Sequence, residues 1–265
     1  MKKKSNLYKI LGILGAVLII ATYFMPVWWV ALQSHQYPKA MYPAGIRINF
    51  KFNGVYNGCE GVREREELAM NEGAECLVEM NAINHYIGMY AITQGLNRDK
   101  NKEYPGYYVF DTKKNAAGEE ILNEETGKPI AVDVTPGFLK FLDQLMINSP
   151  YIFVLFVLLA LYFVFTPKKL NAVFAIIPSL IPFYFLIMYM IGLYWYGHNL
   201  GLHGGGAFEG INDFMPTVFG EGKVAQFTTV SYPYFGFLVA FMAFVSLFLA
   251  MLLKRKELKE PVVNE

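Results

Sequence analysis

Four long apolar stretches alternate with polar segments along the chain. They cover residues 9–29, 150–165, 172–196 and 235–253. A helix needs roughly 20 residues to cross about 30 Å of hydrocarbon, so this pattern predicts four transmembrane helices. None of the four stretches carries an acidic or basic residue in its middle. Because transporters and pumps usually place ionisable groups inside the bilayer, the pattern disfavours transport.

The polar segment between the first two stretches, residues 31–147, is long enough to form a domain of its own. Apolar and polar residues alternate through residues 46–52, and this period of two predicts a half-buried strand. The Asn-Gly pair at residues 53–54 predicts a tight turn, after which residues 55–56 can return as a second strand.

The second half of this segment shows further strand and helix signals. Residues 107–110 and 130–134 have strand-like composition, and the polar residues 111–128 between them predict a surface hairpin or loop. Thr135 and Pro136 are typical of a helix start. The helix that follows is expected to lie on the membrane surface, or to be an ordinary helix of the domain, and to lead into the second span.

The basic residues give the expected orientation. With both termini inside, the inner segments carry ten Lys and Arg against three acidic residues, a net charge of about +7. The outer segments carry thirteen against nineteen, a net charge of about −6. This is the positive-inside pattern, and it places both termini in the cytoplasm and the main domain outside the cytoplasmic membrane.

The predicted fold is an integral membrane protein, with four transmembrane α-helices and a β-rich α+β extracytoplasmic domain inserted between helices 1 and 2. Its segments are residues 1–30 (cytoplasmic tail and first helix), 31–147 (domain), 148–196 (hairpin of helices two and three), 197–234 (outer loop) and 235–265 (fourth helix and cytoplasmic tail). A loop as long as the outer one is more often functional than a simple connector.

Two cysteines, Cys59 and Cys76, lie in the outer domain. In an oxidising compartment such a pair is most often a disulfide. A thiolate pair that binds copper, or two separate thiols, are the alternatives.

Residues 81–89 are the first segment that could carry chemistry. If they are helical, one face presents Asn81, Asn84, His85 and Gly88, beside Tyr86. Such a face is typical of a buried polar network or of a contact with a partner. His85 and Met89 are also four residues apart, and imidazole and thioether are acceptable copper ligands.

The second such segment follows the third span. His198 and Asn199 come at the end of the predicted helix, and His203 lies in the glycine-rich loop after it. Two loop histidines can chelate a metal, but an imidazole at this position more often caps the orphan carbonyls of a helix end. His35 follows the first span and can lie near the same surface.

Other kinds of site have weak signals or none. The sequence contains no C-x-x-C-H haem motif and no H-E-x-x-H zinc motif. The three glycines at residues 204–206 lack the context of a phosphate-binding loop, and no nucleic-acid partner is expected. A quinol pocket lined by residues such as Tyr194 and Trp195 stays open as an alternative.

Four short strings together resemble a known family. They are residues 36–38 (QYP), 84–89 (NHYIGM), 196–200 (YGHNL) and 214–220 (FMPTVFG). They are similar to small polytopic membrane proteins encoded beside the Sec-exported, clade II type of nitrous-oxide reductase, often called NosB.

The resemblance implies a non-catalytic membrane partner of an exported copper enzyme. Such a protein could dock nitrous-oxide reductase at the membrane, support its electron supply or assist maturation of its copper centres. Two rivals to docking follow from the residues. One is a copper-handling factor whose site would combine His85, Met89, His198 and His203, and the other is a quinol-linked electron-transfer subunit.

Overall fold

The computed structural model describes residues 6–35, 42, 45–58, 110–124, 126–166, 172–199, 212–224 and 227–257. The helices in these ranges are α1 (Leu7–Phe24), α2 (Gly137–Phe165), α3 (Ala172–Ser179), α4 (Ile181–Gly197) and α5 (Phe235–Glu257). The strands are β1 (Trp28–Gln33), β2 (Ile46–Lys51), β3 (Gly54–Asn57), β4 (Phe110–Thr112), β5 (Ala131–Asp133), β6 (Gly220–Val224) and β7 (Phe227–Pro233).

The helices form an apolar bundle. By length and composition α1, α2 and α5 can each cross a membrane, and α3 with α4, which are bent by 43° relative to each other, make a fourth candidate if the pair counts as one span. Many large apolar side chains on these helices are exposed, as expected of a surface that faces lipid. The coarser prediction, a protein that combines several membrane-type helices with β structure, is therefore confirmed, with three candidate crossings or four if the bent pair is one span.

Small residues allow the helices to approach closely. A Cβ atom at Gly12 of α1 would collide with Val164 of α2, and one at Gly15 would collide with Leu247 of α5. Between the same helices the hydroxyl of Ser246 donates to the carbonyl of Leu11 over 2.9 Å. Small side chains and interhelical hydrogen bonds are the usual means by which helices associate in lipid.

The two ends of the bundle differ. One end contains Lys254 and is called the lysine end. The side chain of Lys254 is only 4% exposed, and its ammonium group donates to the carbonyls of Phe163 and Thr166. These carbonyls lie at the end of α2, where the helix dipole favours a cation. The opposite end is called the sheet end, because the main β-sheet lies there. At this end Phe138 of α2 contacts Trp195 of α4, with ring centroids 5.1 Å apart.

The bent pair runs from one end to the other. Phe174 of α3 contacts Tyr162 near the lysine end of α2, whereas α4 finishes at the sheet end. The pair therefore crosses the whole bundle and does not return to the side from which it started. The described chain then begins and finishes at the lysine end, where the Lys254 ammonium lies 5.7 Å from the centre of the Tyr8 ring.

The bend was not predicted, and Pro182 accounts for it. Pro182 has no N–H to offer the carbonyl of Pro178, four residues earlier. Phe183 donates to the carbonyl of Leu180 instead of that of Ser179, so the helix restarts after Leu180. The predicted third stretch is thus two helices joined at this residue.

A five-stranded antiparallel sheet lies at the sheet end, in the order β3-β2-β1-β7-β6. Two of its three inner strands are continuous with helices, because β1 follows α1 after three residues and β7 precedes α5 by one. Val27 and Tyr234 fix these junctions, since the N–H of Val27 donates to Phe50 and that of Tyr234 donates to Val27. The sheet is therefore built directly on two of the crossing helices.

Both outer segments contribute to this sheet. Strands β1, β2 and β3 come from the first segment, and the predicted strand at 46–52 and its return at 55–56 are confirmed. Strands β6 and β7 lie in residues 197–234, for which the sequence predicted a loop without a pattern of its own. The first predicted crossing was also too long, because Pro26 ends α1 at Phe24 and residues 28–29 begin β1.

The segment before α2 follows the prediction in part, because a strand lies at residues 110–112, which overlaps the predicted loop, and residues 107–109 of the predicted strand lie outside the described residues. Strands β4 and β5 pair at the base of a surface hairpin, and two isolated bridges continue the pairing towards its turn. Helix α2 begins at Gly137, with Pro136 as its N-cap, and continues without interruption into the second crossing. The expected amphipathic helix is therefore the first part of a single helix of 29 residues, about 43 Å long.

Candidate functional site

The sheet end holds a buried polar network centred on Ser231. The hydroxyl of Ser231, which is fully buried, donates to the carbonyl of Val218 over 2.8 Å. The indole N–H of Trp28 donates to the same hydroxyl over 2.9 Å, and the hydroxyl of Tyr189 lies 3.0 Å away. Since the only proton of Ser231 goes to Val218, Tyr189 must be the donor. One serine therefore connects β7 with β1, α4 and the segment before β6.

Aromatic rings surround this network. Alternation along the strands places Trp28 and Phe50 on the sheet face that meets α4, where Tyr189 and Phe185 pack against them. The ring centroids of Trp28 and Tyr189 are 5.3 Å apart. Phe52 extends the contact to Phe185, at 5.6 Å. The sheet and α4 are thus joined by an apolar layer with Ser231 at its polar centre.

Arg47 lies on the opposite face of the sheet, between two aromatic rings. Its guanidinium carbon is 4.7 Å from the centre of the Trp29 ring and 4.6 Å from that of Tyr234. Its Nε atom donates to the side-chain oxygen of Asn49 over 3.1 Å. Its Nη2 atom is buried and has no hydrogen-bond partner among the described residues. A buried donor without an acceptor costs about 1–3 kcal/mol, and more when it is charged.

His198 and Asn199 lie at the end of α4, as the sequence predicted. The Nδ1 atom of His198 is 2.7 Å from the carbonyl of Tyr194, and its ring stacks on that of Tyr194 at 4.0 Å. The side-chain amide of Asn199 donates to the carbonyl of Trp195 over 2.7 Å. Both residues therefore cap the helix end, which is the role the sequence favours for a loop histidine.

The base of the hairpin is anchored to α2 through Asp133. Its carboxylate is 2.7 Å from the ammonium of Lys140 and accepts the backbone N–H of Thr135 over 2.8 Å. These hydrogen bonds, first that of Lys140 and then those of Thr135, lower the pKa of Asp133 from 3.8 to about 2. The carboxylate is thus charged at all physiological pH values, and it holds the hairpin close to the start of the second crossing.

Most of the predicted site residues lie outside the described residues. These are Cys59, Cys76, Asn81, Asn84, His85, Tyr86, Gly88, Met89 and His203. Their predicted roles in a polar network, a copper site or a disulfide stay predictions. Within the described part of the chain, no group of three or more His, Cys, Asp or Glu side chains could hold a metal ion.

Sequence reasoning missed Arg47, Tyr189 and Ser231. For Arg47, the sequence shows only that it is a polar position in a strand with a period of two. This pattern does not show which aromatic rings from other segments lie beside it. Ser231 lies in a segment that was predicted to be a loop, 203 residues from Trp28. Local patterns carry no information on a contact between residues so far apart in the sequence.

The chain matches no model of a known protein family, no curated protein and no solved structure.

Proposed function

We propose that this chain is a multi-pass protein of the cytoplasmic membrane that docks an exported copper enzyme at the outer surface. Its two termini would lie in the cytoplasm and the sheet end would face outward. The basic residues at the lysine end, which include Lys254, Arg255 and Lys256, support this orientation. The resemblance to the NosB family makes nitrous-oxide reductase the partner to test first.

The observation that carries the proposal is the continuity between sheet and helices. Because β1 and β7 lead directly into α1 and α5, the sheet cannot move far from the membrane, and this suits a fixed platform. An exposed aromatic side chain, Phe219, lies beside this sheet, with its ring 5.2 Å from that of Tyr232. Exposed aromatic residues are typical anchors of protein interfaces.

The test is a pull-down of the tagged full-length protein from its native membranes in mild detergent, with metal analysis of the eluate. Docking predicts that a copper enzyme co-purifies and accounts for all the copper. Phe219→Ala should weaken the complex, whereas Phe165→Ala, an equally exposed phenylalanine at the lysine end, should not. Loss of the partner in both variants or in neither would argue against a contact at Phe219.

The charge of the predicted outer segments gives this complex a second property. With a net charge of about −6 on that side, the contact should be partly electrostatic and should weaken as salt rises. A complex that is equally stable at low and high ionic strength would remove this element of the proposal.

Copper handling is the second candidate, and one observation favours it. A histidine that binds a metal usually donates its other ring N–H to a carbonyl or carboxylate. His198 has this arrangement if Nδ1 donates to Tyr194, and Nε2 is then the ring nitrogen that could bind a metal. Copper on the purified chain alone, lost in His198→Ala, would support this function over docking.

A further inference from the structure

We propose that Arg47, held between Trp29 and Tyr234, binds the phosphate group of a membrane phospholipid. The proposal rests on the membrane location of the helices and is independent of the copper-enzyme partner. It assigns an anion site to the face of the sheet opposite the Ser231 network.

The first argument is the state of the guanidinium group. Arginine has five N–H donors, and hydrogen bonding to Asn49 accounts for one of them. Among the described residues, the rings of Trp29 and Tyr234 lie over the charge, and no ion pair with a carboxylate is found there. Nη2 is buried without an acceptor among the described residues. A charged donor without an acceptor is costly, so an oxyanion that reached the guanidinium would relieve this cost.

The second argument is the position of the site relative to the helices. Trp29 lies five residues after the end of α1, and Tyr234 is the residue immediately before α5. Since α1 and α5 pack side by side, the guanidinium lies at the level where two adjacent crossings end. Lipid headgroups lie at this level of a membrane, and Trp and Tyr are enriched there.

The third argument distinguishes a lipid from a small soluble anion. The side chains of Phe24 and Phe235, at the ends of α1 and α5, are 70% and 64% exposed. The ring of Phe235 is 4.9 Å from that of Tyr234, so it provides apolar surface beside the site on which acyl chains can pack while the phosphate binds Arg47. A planar guanidinium fits two phosphate oxygens at once, and its stacking between rings keeps it in the orientation for doing so.

The experiment measures thermal unfolding of the delipidated full-length protein in mild detergent. The additives are phosphatidylglycerol, diacylglycerol (the same tails without phosphate) and inorganic phosphate. Phosphatidylglycerol should raise the Tm in a concentration-dependent way, and diacylglycerol should not. In Arg47→Gln the lipid concentration that gives half of the shift should rise at least about tenfold.

Arg255→Gln is the matched control, because it removes an exposed arginine at the lysine end. It should respond to phosphatidylglycerol as the wild type does. An equal response of Arg47→Gln and wild type would overturn the proposal, as would an equal effect of diacylglycerol. If inorganic phosphate alone gave the full shift, the site would bind a soluble anion and the lipid assignment would be wrong.

Arg47→Lys covers the case in which Arg47→Gln does not fold. It keeps the positive charge but loses the two-point contact with phosphate. Native mass spectrometry should find that the wild type retains one phospholipid at concentrations where Arg47→Lys retains little. Equal retention by the two proteins would overturn the role of the guanidinium.

Discussion

Ser231 is a small residue that satisfies three buried polar groups at once. In Ser231→Ala the indole N–H of Trp28 and the hydroxyl of Tyr189 would lose their acceptor, and the carbonyl of Val218 would lose its donor. Because both donors are enclosed in an apolar layer, we expect the free energy of unfolding to fall by about 2–4 kcal/mol. Reversible unfolding in mixed micelles measures this change.

Tyr189→Phe is the informative comparison for Ser231→Ala. This change removes the whole hydroxyl group of Tyr189, so it leaves no buried donor without an acceptor. The free energy of unfolding is therefore expected to fall by only about 1 kcal/mol. In the Tyr189→Phe background, Ser231→Ala should cost less than it does alone. If Ser231→Ala cost less than about 0.5 kcal/mol in the wild type, the network would have no part in joining the sheet to α4.

Asp133 provides a pH dependence at the residue scale. Its pKa is about 2 in the folded chain and 3.8 as an ordinary value, so the folded state binds fewer protons between these limits. The stabilisation is complete above pH 3.8 and is lost as pH falls towards 2. An NMR titration of the Asp133 carboxyl should therefore have its midpoint near pH 2. In Lys140→Gln the midpoint should move up towards 3.8, and an unchanged midpoint would contradict the assigned cause.

At the scale of elements, α2 contains a proline whose effect on the helix is offset locally. Pro150 cannot donate to the carbonyl of Met146, four residues earlier, and the hydroxyl of Ser149 donates to that carbonyl over 2.7 Å instead. Ser149→Ala should therefore lower the free energy of unfolding by about 1 kcal/mol. The same change should have almost no effect in the Pro150→Ala background, because an alanine there restores the backbone donor. A double-mutant cycle that shows additive effects would contradict this compensation.

The elements that the sequence predicted are those with local signals. The apolar helices, the strand at 46–52 and its Asn-Gly turn each follow from residues close together in the chain. The bend at Leu180 also had a local signal, because Pro182 cannot donate to the carbonyl of Pro178 and so interrupts the helix near Leu180. Strand β1 had an ambiguous signal, because Trp28 and Trp29 are as typical of a membrane interface as of a strand.

The pairing of the strands had no local signal. Strand β1 pairs with β7 from Trp28 opposite Pro233 to Gln33 opposite Thr228, across nearly the whole length of the chain. This pairing determines which face of the sheet Ser231 and Arg47 occupy, and hence the composition of the candidate site. Periodicity predicts that a strand has two faces, but it does not identify the neighbouring strand that completes each face.

At the scale of the whole molecule, the two ends of the bundle have different chemistry. The lysine end is closed by the buried ammonium group of Lys254, which holds α2 to α5, and two more basic residues, Arg255 and Lys256, follow it in the last turn of α5. The sheet end combines a satisfied polar network on one face of the sheet with an incompletely satisfied guanidinium on the other. The first arrangement suits a structural clamp, and the second suits a surface that receives a ligand or a partner.

The docking proposal requires that the sheet end face outward, whereas the helices alone do not decide this. A tag inserted after Gly118 tests it, because this turn residue is in open space, with no atom within 4 Å of a Cβ built on it. In intact spheroplasts, added protease should remove this tag and leave a fluorescent protein fused to the C-terminus undamaged. The expected orientation follows from the basic residues at the lysine end, because segments rich in Lys and Arg are usually retained on the cytoplasmic side. Protection of the tag at 118 until the membrane is permeabilised would place the sheet in the cytoplasm, and an exported enzyme could then not dock on it.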